Sequence, residues 1–364
     1  MSDLKVSLFP IERIARDWLG STSDNNFDET LLPFQVLDDV YIEIISGKIS
    51  NDEFDYCKRE LGTETIKHLE KMEYAIVHRF PRIAKDPATG DLILENELEE
   101  RSTQLVHEVI ACLRLLRPIA QHAQFLGGTV TPDGRFAHFH FDNPVTFLTF
   151  LPNQKFFGVR TKDLHDLRTY APLFRGALAG MFWKFRMAID MYQSGFFQQS
   201  HWKARFFLWT AALESLFTSQ SPGSQHSGTM VAKERVKFFL GPSTLIYPPG
   251  ELTNFEPNPA LTVEDVIGDI YCLRNHIAHG DKLPDHYYQA AGRPGFEGTS
   301  IVKGEMLLEA ISSIIRQSLL KILRDNLLLH FADTPSSEAY FAANGLTKRD
   351  LQRRYPSYSN NCPS

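Results

Sequence analysis

The stretch "LTVEDVIGDIYCLRNHIAHG", from Leu261 to Gly280, carries helix signals at both of its ends. Thr262 followed by Asp265 is typical of an N-terminal capping box, and Gly280 is a natural residue to end a helix. Apolar residues recur between them at helical spacing, namely Val266, Ile267, Ile270, Tyr271 and Ile277. The sequence therefore predicts a helix from Val263 to His279.

Polar residues at the end of this helix are candidates for a functional site. Arg274 and His279 form an R-x4-H pair, and Asn275 lies one turn before His279 on the same face. The chain contains this pattern four times, so the spacing alone is weak evidence. Only this pair lies in the last turns of a helix that is bounded by capping residues. Arg274, His279 and Asn275 are therefore the candidate catalytic residues.

Helical patterns dominate the rest of the chain. A capping box, "SNDE" from Ser50 to Glu53, opens a helical pattern that reaches Met72. Further helices are predicted near residues 97–117, 164–195, 201–218, 229–240 and 303–331, with two short ones in the tail beginning near Thr334 and Thr347. The turn signal "TPDG" and the segments "RFAHFHF" and "VTFLTF", between Gly127 and Pro152, predict a small β-hairpin.

The composition is that of an ordinary globular protein. Of 364 residues, 43% are hydrophobic and 23% charged, and the four cysteines are scattered without a Cys-x-x-Cys pair. We expect a cytoplasmic protein with no secretory signal and no membrane-spanning segment. Residues 1–159 hold 16 Lys+Arg against 25 Asp+Glu, and residues 160–364 hold 22 against 19. An anionic partner is thus expected in the second half.

Three segments together resemble a known family. They are "FFLWTAALESLF" from Phe206 to Phe217, "AKERVKFFLG" from Ala232 to Gly241, and "LRNHIAHG" from Leu273 to Gly280. In this order they resemble the HEPN superfamily of helical-bundle domains, most closely its Apea-like branch, over about half of the chain. The resemblance implies a homodimer and, in active members, a metal-independent endoribonuclease with an RNA substrate and no cofactor. It also suggests Arg274 or Arg235 as the partner of Glu214, although a solvent-facing Glu214 is the simpler alternative.

With this resemblance, the chain is predicted to be mainly α-helical. Residues 1–160 are expected to form a mostly helical domain with a β-hairpin near residues 129–150. Residues 161–332 are expected to form a HEPN-like antiparallel helical bundle, and residues 333–364 a short, basic, helical tail. Glu214 and Arg235 are the expected supporting residues of the site, and a protein regulator is left open.

The chemistry of RNA cleavage suits these residue types. RNA carries its own nucleophile, the 2′-hydroxyl, so cleavage needs a base, an acid and positive charge at the phosphorus. Histidine suits both proton transfers, and arginine supplies a permanent charge for phosphate. One His279 does not easily stand on both sides of an in-line displacement, whereas two copies related by a dyad can. The predicted function is a toxin-like or phage-defence ribonuclease.

Other interpretations remain open from the sequence. Cations near a helix C-terminus stabilise it by roughly 0.3–1 kcal/mol, which would explain Arg274 and His279 without any catalysis. The alternative function is that of a non-catalytic HEPN interaction, scaffold or sensor module that binds a protein partner or a nucleotide. His276 points to another face and is expected to be a surface or packing residue. His138 and His140 share one face of a predicted strand, but no further ligand completes a metal site.

Overall fold

In the computed structural model, the described residues are 4–11, 27–49, 73–86, 88–117, 126–141, 159–197, 202–218, 228–247, 260–288 and 303–356. The chain divides into two compact units. The first contains residues 1–148 and 157–174, and the second contains residues 149–156 and 175–364. The capping box predicted at Ser50 and the helix predicted after it lie outside the described residues.

The first unit contains a six-stranded sheet with the order β2-β3-β4-β1-β7-β8. All neighbouring strands in it pair antiparallel. The strands are β1 (Leu4–Ile11), β2 (Phe34–Leu37), β3 (Val40–Ile44), β4 (Tyr74–Pro81), β7 (Leu126–Val130) and β8 (Phe136–Phe141). A separate two-stranded ribbon joins β5 (Ala84–Lys85) to β6 (Leu92–Ile93).

This sheet corrects the predicted fold class. The expectation of a mainly α-helical chain, with a mostly helical N-terminal domain and only a small β-hairpin, is wrong. The predicted turn at "TPDG" is present, but it joins β8 to a preceding strand, β7, that the pattern did not indicate. The segment "VTFLTF" lies outside the described residues. The larger omission is β1 to β4, which place a sheet where helices were expected.

One long helix packs on this sheet. Helix α1 (Glu95–Leu116) buries an apolar stripe that includes Val106, Val109 and Leu113, close to the predicted bounds. Where it crosses the sheet, the hydroxyl of Ser102 lies 2.7 Å from that of Ser7 on β1, and both side chains are buried. A buried hydroxyl needs a partner, so this hydrogen bond fixes the helix against the central strand.

The described part of the second unit is helical. Helix α2 (Thr161–Ala179) is assigned to the first unit as far as Phe174 and to the second unit from Arg175. The helices that follow are α3 (Trp183–Phe197), α4 (Trp202–Phe217), α5 (Gly228–Leu240), α6 (Val263–His279), α7 (Lys303–Arg324), α8 (Thr334–Ala343) and α9 (Lys348–Arg354). The pattern predicted one helix from Leu164 to Gly195. It is broken after Ala179, where the Phe182 ring occupies the space that a Cβ at Gly180 would need.

Close packing of α3 on α4 forms the centre of this unit. The indole of Trp209 is fully buried and donates a hydrogen bond of 2.9 Å to the carbonyl of Tyr192. A Cβ at Gly195 would overlap the same indole, so only glycine permits this approach. Helix α4 turns its most apolar residues inward, and α6 packs across it. This packing sets the position of the candidate site.

Candidate functional site

Helix α6 begins and ends at the predicted residues. The Thr262 hydroxyl accepts from the Asp265 N–H at 3.3 Å, and the Asp265 carboxylate accepts from the Thr262 N–H at 2.9 Å. At the other end, Gly280 has a left-handed backbone with φ 69°. The N–H groups of Gly280 and Asp281 donate to the carbonyls of Ile277 and His276 at 3.2 and 3.0 Å. The helix end is therefore closed by its own backbone.

Burial decreases along α6 toward this end. Tyr271, Cys272 and Leu273 are buried, the side chains from Arg274 to Ile277 are half-buried, and His279 is exposed. The helix rests on α4, α5 and α7 through its earlier apolar residues. Its last two turns thus reach the surface of the second unit and carry the candidate residues with them.

An ion pair joins α6 to α4 at this point. The Arg274 guanidinium lies 3.2 Å from the Glu214 carboxylate, and each side chain is 26% exposed. Burial raises the pKa of Glu214 above its ordinary value, and the charge and hydrogen bond of Arg274 oppose that rise. Of the two arginines suggested by the sequence, Arg274 is thus the partner of Glu214.

The same guanidinium has two further neighbours. It donates a long hydrogen bond of 3.4 Å to the side-chain oxygen of Asn275, which faces the side of α6 that carries His279. It also lies 5.8 Å from the centre of the Phe207 ring on α4. Its Nε is buried and makes no hydrogen bond within the described residues. Arg274 is thus oriented by three side chains while part of its donor capacity is unused.

Tyr271 lies one turn before Arg274, and the sequence pattern indicated only that it belongs to the apolar face of the helix. Its side chain is fully buried, and its hydroxyl has no hydrogen-bond partner among the described residues. Burial raises its pKa well above the ordinary value, and the nearby charge of Glu214 adds to that rise. The only signal that it lies near the site was its position three residues before Arg274, which places the two side chains on neighbouring parts of one face.

The two histidines of α6 differ in their surroundings. His279 is exposed and makes no hydrogen bond or ion pair within the described part of the chain. His276 packs its ring edge against Tyr287 at 6.2 Å, and its Nδ1 lies 3.8 Å from the Asp281 carboxylate. His279 is accessible to a substrate, whereas His276 is a packing residue, as its position on the helix suggests.

Arg235 lies apart from this cluster. Its guanidinium is 1% exposed and forms a bidentate pair with Glu338 on α8 at 2.6 and 2.8 Å. It also donates to the carbonyls of Phe217 and Leu346 at 3.2 and 3.1 Å. These bonds join α5 to the end of α4 and to the chain after α8. Arg235 therefore has structural partners and does not contact Glu214 or Arg274.

The other three R-x4-H pairs have different surroundings. Arg160 and Arg117 are both buried beside Asp163, at 2.7 and 3.7 Å. His165 is exposed and packs on Phe34, and His122 lies outside the described residues. The third pair begins at an arginine of the β7–β8 turn and ends at His140, whose side chain is not described. Arg274 differs from Arg160 and Arg117 in that it lies, together with its histidine, within the last turns of one helix.

Within the described residues, no group of three or more His, Cys, Asp or Glu side chains is placed to hold a metal ion. Over the same ranges, no helix has both the length and the apolar character needed to cross a bilayer. Comparisons of the chain with protein-family models, with curated proteins and with solved structures found no match.

Proposed function

We propose that this protein is a metal-independent endoribonuclease of the HEPN type, which acts as a homodimer in the cytoplasm. The observation that carries the proposal is the arrangement at the end of α6. There an arginine is held by Glu214 and Asn275, and an exposed histidine lies beyond it on the face of Asn275. A fixed positive charge beside an accessible imidazole is what cleavage of RNA requires from a protein.

In the proposed reaction the 2′-oxygen of RNA attacks the adjacent phosphorus. A new bond forms between O2′ and phosphorus, and the bond from phosphorus to O5′ breaks. The proton of the 2′-hydroxyl passes to one histidine, and a second histidine gives a proton to the departing O5′. The products are a 2′,3′-cyclic phosphate and a 5′-hydroxyl. Arg274 stabilises the charge that develops on the phosphorane oxygens.

Asn275 and Glu214 position the arginine in this scheme. The Glu214 carboxylate draws one side of the guanidinium toward α4, and the Asn275 oxygen draws the other toward the His279 face. Restricting a long side chain in this way reduces the entropy lost when it binds phosphate. Glu214 also lies in a partly buried environment, where the pair is screened less by solvent.

The homodimer is part of the proposal because the two proton transfers occur on opposite sides of the phosphorus. One His279 per chain supplies one of them. A second copy related by a two-fold axis near the end of α6 supplies the other without any further residue type. Light scattering at micromolar protein gives the first check, since a strict monomer would leave half of the site.

The decisive experiment incubates the full-length protein with single-stranded RNA in EDTA. His279→Ala and Arg274→Ala should each lower cleavage by about 100-fold or more, because they remove the proton transfer and the charge stabilisation. His330→Ala is the matched control, because His330 is another exposed histidine of the same unit. DNA should not be cut, because it lacks the 2′-hydroxyl. Cleavage that needs added metal, or that His279→Ala leaves unchanged, would refute the assignment.

A non-catalytic interaction module is the second candidate. The observation that favours it is an exposed apolar turn between α2 and α3, where Met181 is 94% exposed and Trp183 is 64% exposed. Large apolar side chains at the surface are typical of partner-binding sites. Under this hypothesis, substitution of Trp183 abolishes function in cells, whereas His279→Ala has no effect there. Under the ribonuclease hypothesis, His279→Ala abolishes function in cells, whereas substitution of Trp183 has no effect there.

A further inference from the structure

An exposed aromatic ring lies beside the proposed phosphate-binding arginine. Phe207 is 40% exposed, and its ring centre is 5.8 Å from the Arg274 guanidinium. Its neighbour Phe206 is fully buried, so successive phenylalanines of α4 have different roles. Phe207 and Glu214 are two helical turns apart and therefore lie on the same side of α4. Arg274 contacts both of them across the contact between α4 and α6.

An exposed phenylalanine is ordinary by itself, so its surroundings must decide. Phe238 on α5 is a useful comparison, because it is 44% exposed and makes an edge contact with Tyr340. Within the described residues, no cation lies over the Phe238 ring. Phe207 instead has a guanidinium on one side and retains exposed ring surface. A cation over an aromatic ring is attracted to it, and this attraction restricts the positions of both groups.

We propose that Phe207 is a base-stacking residue that holds an unpaired nucleotide of the RNA. This inference rests on the proposed function and adds a nucleotide-binding residue to that site. A base stacks on the exposed surface of Phe207, while Arg274 holds a neighbouring phosphate. Proteins that recognise unpaired RNA bases use aromatic rings and guanidinium planes in this way. Duplex RNA is excluded from this contact because its bases are already stacked on each other.

Stacking on Phe207 also suits the cleavage step. In-line attack requires the 2′-oxygen, the phosphorus and the departing oxygen to align, which an unpaired nucleotide does only when its base is held. A base fixed beside Arg274 orients the ribose on one side of the bound phosphate. The expected preference is therefore for unpaired nucleotides, with little discrimination among bases, because every base has a π-face.

The test measures binding separately from cleavage. The probe is a short, dye-labelled, single-stranded oligonucleotide whose 2′-hydroxyls are methylated, so that it binds without being cut. Phe207→Ala should weaken its binding to the full-length protein by about tenfold. Phe207→Trp should bind like the wild type, and Phe207→Leu should bind like the alanine variant, because leucine keeps apolar bulk without a π-face. Phe238→Ala is the matched control and should bind like the wild type.

A second probe shows whether the base itself is involved. In this probe one nucleotide of the oligonucleotide is made abasic. When that nucleotide is the one that stacks on Phe207, the wild type and Phe207→Ala should bind the probe with equal affinity. A duplex of the same sequence should bind equally to both proteins. If Phe207→Ala binds the single strand as tightly as the wild type, or if the wild type does not bind it, the inference is wrong. A shift of Phe207→Ala from dimer to monomer would also overturn it, because it would place Phe207 in a subunit contact.

The outcome separates this inference from the proposed function. Binding that depends on Phe207, without cleavage of unmodified RNA, would keep the stacking site and refute the ribonuclease. Cleavage that depends on His279 but not on Phe207 would keep the ribonuclease and refute the stacking site. Unfolding curves of the leucine and tryptophan variants check that the fold is retained.

Discussion

Removing the guanidinium of Arg274 should destabilise the protein, and should do so more at neutral than at acidic pH. The reason is Glu214, whose pKa is raised by burial although Arg274 lies 3.2 Å away. In Arg274→Ala the carboxylate loses its positive partner but keeps its partly buried position. Tyr271 on α6 does not replace the lost partner, because its hydroxyl makes no hydrogen bond to Glu214 among the described residues.

The size of the effect follows from the exposure of the pair. Deleting one partner of a fully buried pair costs roughly 3–5 kcal/mol, because it leaves an uncompensated charge. Deleting one partner of an exposed pair costs at most about 1 kcal/mol. Both side chains here are 26% exposed, between these limits and nearer to burial. We therefore expect Arg274→Ala to lower the free energy of unfolding by about 2 kcal/mol at neutral pH.

The pH dependence has a definite sign. A carboxyl group whose pKa is higher in the folded than in the unfolded state contributes stability that is present below the unfolded pKa. This stability is lost as the pH rises through the folded pKa. Without Arg274 the pKa of Glu214 in the folded state rises further. The pH range in which ionisation of Glu214 lowers the free energy of unfolding therefore extends further above the ordinary pKa of 4.5. The deficit of Arg274→Ala should therefore be small near that value and complete at neutral pH.

Urea unfolding followed by tryptophan fluorescence measures this deficit, since Trp209 is fully buried in the same unit. The control is Glu214→Gln, which keeps the shape of the side chain without its charge. Adding Arg274→Ala to that variant should cost less than half as much as in the wild type, with no pH dependence between about pH 5 and about pH 8. Equal costs in both backgrounds would show that the pair is not coupled, and would refute the reasoning.

Four further predictions concern the packing that supports the site, and urea unfolding measures each. Arg235→Ala should cost about 3 kcal/mol, because it removes a buried guanidinium together with its ion pair to Glu338 and its hydrogen bonds to two carbonyls. A loss under about 1 kcal/mol would contradict this. Burial lowers the pKa of Lys184 to about 8. Between about pH 8 and about pH 10.5, the folded protein therefore binds fewer protons than the unfolded protein. The free energy of unfolding of the wild type, relative to that of Lys184→Met, should rise across this range. Gly195→Ala should destabilise by about 1–3 kcal/mol, because its Cβ would overlap Trp209. Gly268→Ala, which adds its Cβ in open space, should instead stabilise α6 by about 0.5–1 kcal/mol.

Helix α6 was predictable because its sequence specifies both ends locally. Thr262 and Asp265 lie within one turn of each other at the start of the helix, and the left-handed Gly280 directly follows its last residue. Each end is therefore specified by a short window of sequence. The α2–α3 boundary was not predictable in this way. Apolar spacing continues across it, and the break depends on how the Phe182 ring packs against Gly180.

The sheet was missed because its decisive contacts are distant along the chain. Strand β1 pairs with β4 about seventy residues later and with β7 still later, and no local pattern reports such pairing. Much of β4 is buried on both faces, so it lacks the alternation that marks a half-exposed strand. The turn between β2 and β3 is Asp38–Asp39, with Asp39 at φ 62°, and lacks the glycine that usually reveals a tight hairpin.

The candidate site was predictable in part because some of its residues lie on one locally specified helix. Residues on α6 share one local helix, so the spacing of Arg274, Asn275 and His279 could be read from the sequence. The partner of Glu214 could not, because the choice between Arg235 and Arg274 depends on how three helices pack. The exposure of Phe207 could not be predicted either, since sequence alone does not show which of two adjacent phenylalanines faces the solvent.

Helix capping does not account for the polar residues at the end of α6. If Arg274 and His279 were present to satisfy the last carbonyls, they would donate to them. The carbonyls of His276 and Ile277 instead accept from the backbone N–H groups that follow the helix. Arg274 points sideways to Glu214 on α4, and His279 extends into solvent. Arg274 is half-buried, and its buried Nε makes no hydrogen bond among the described residues, a cost that capping does not explain. In the proposed function the two side chains act on RNA instead, Arg274 on the phosphate and His279 on a proton.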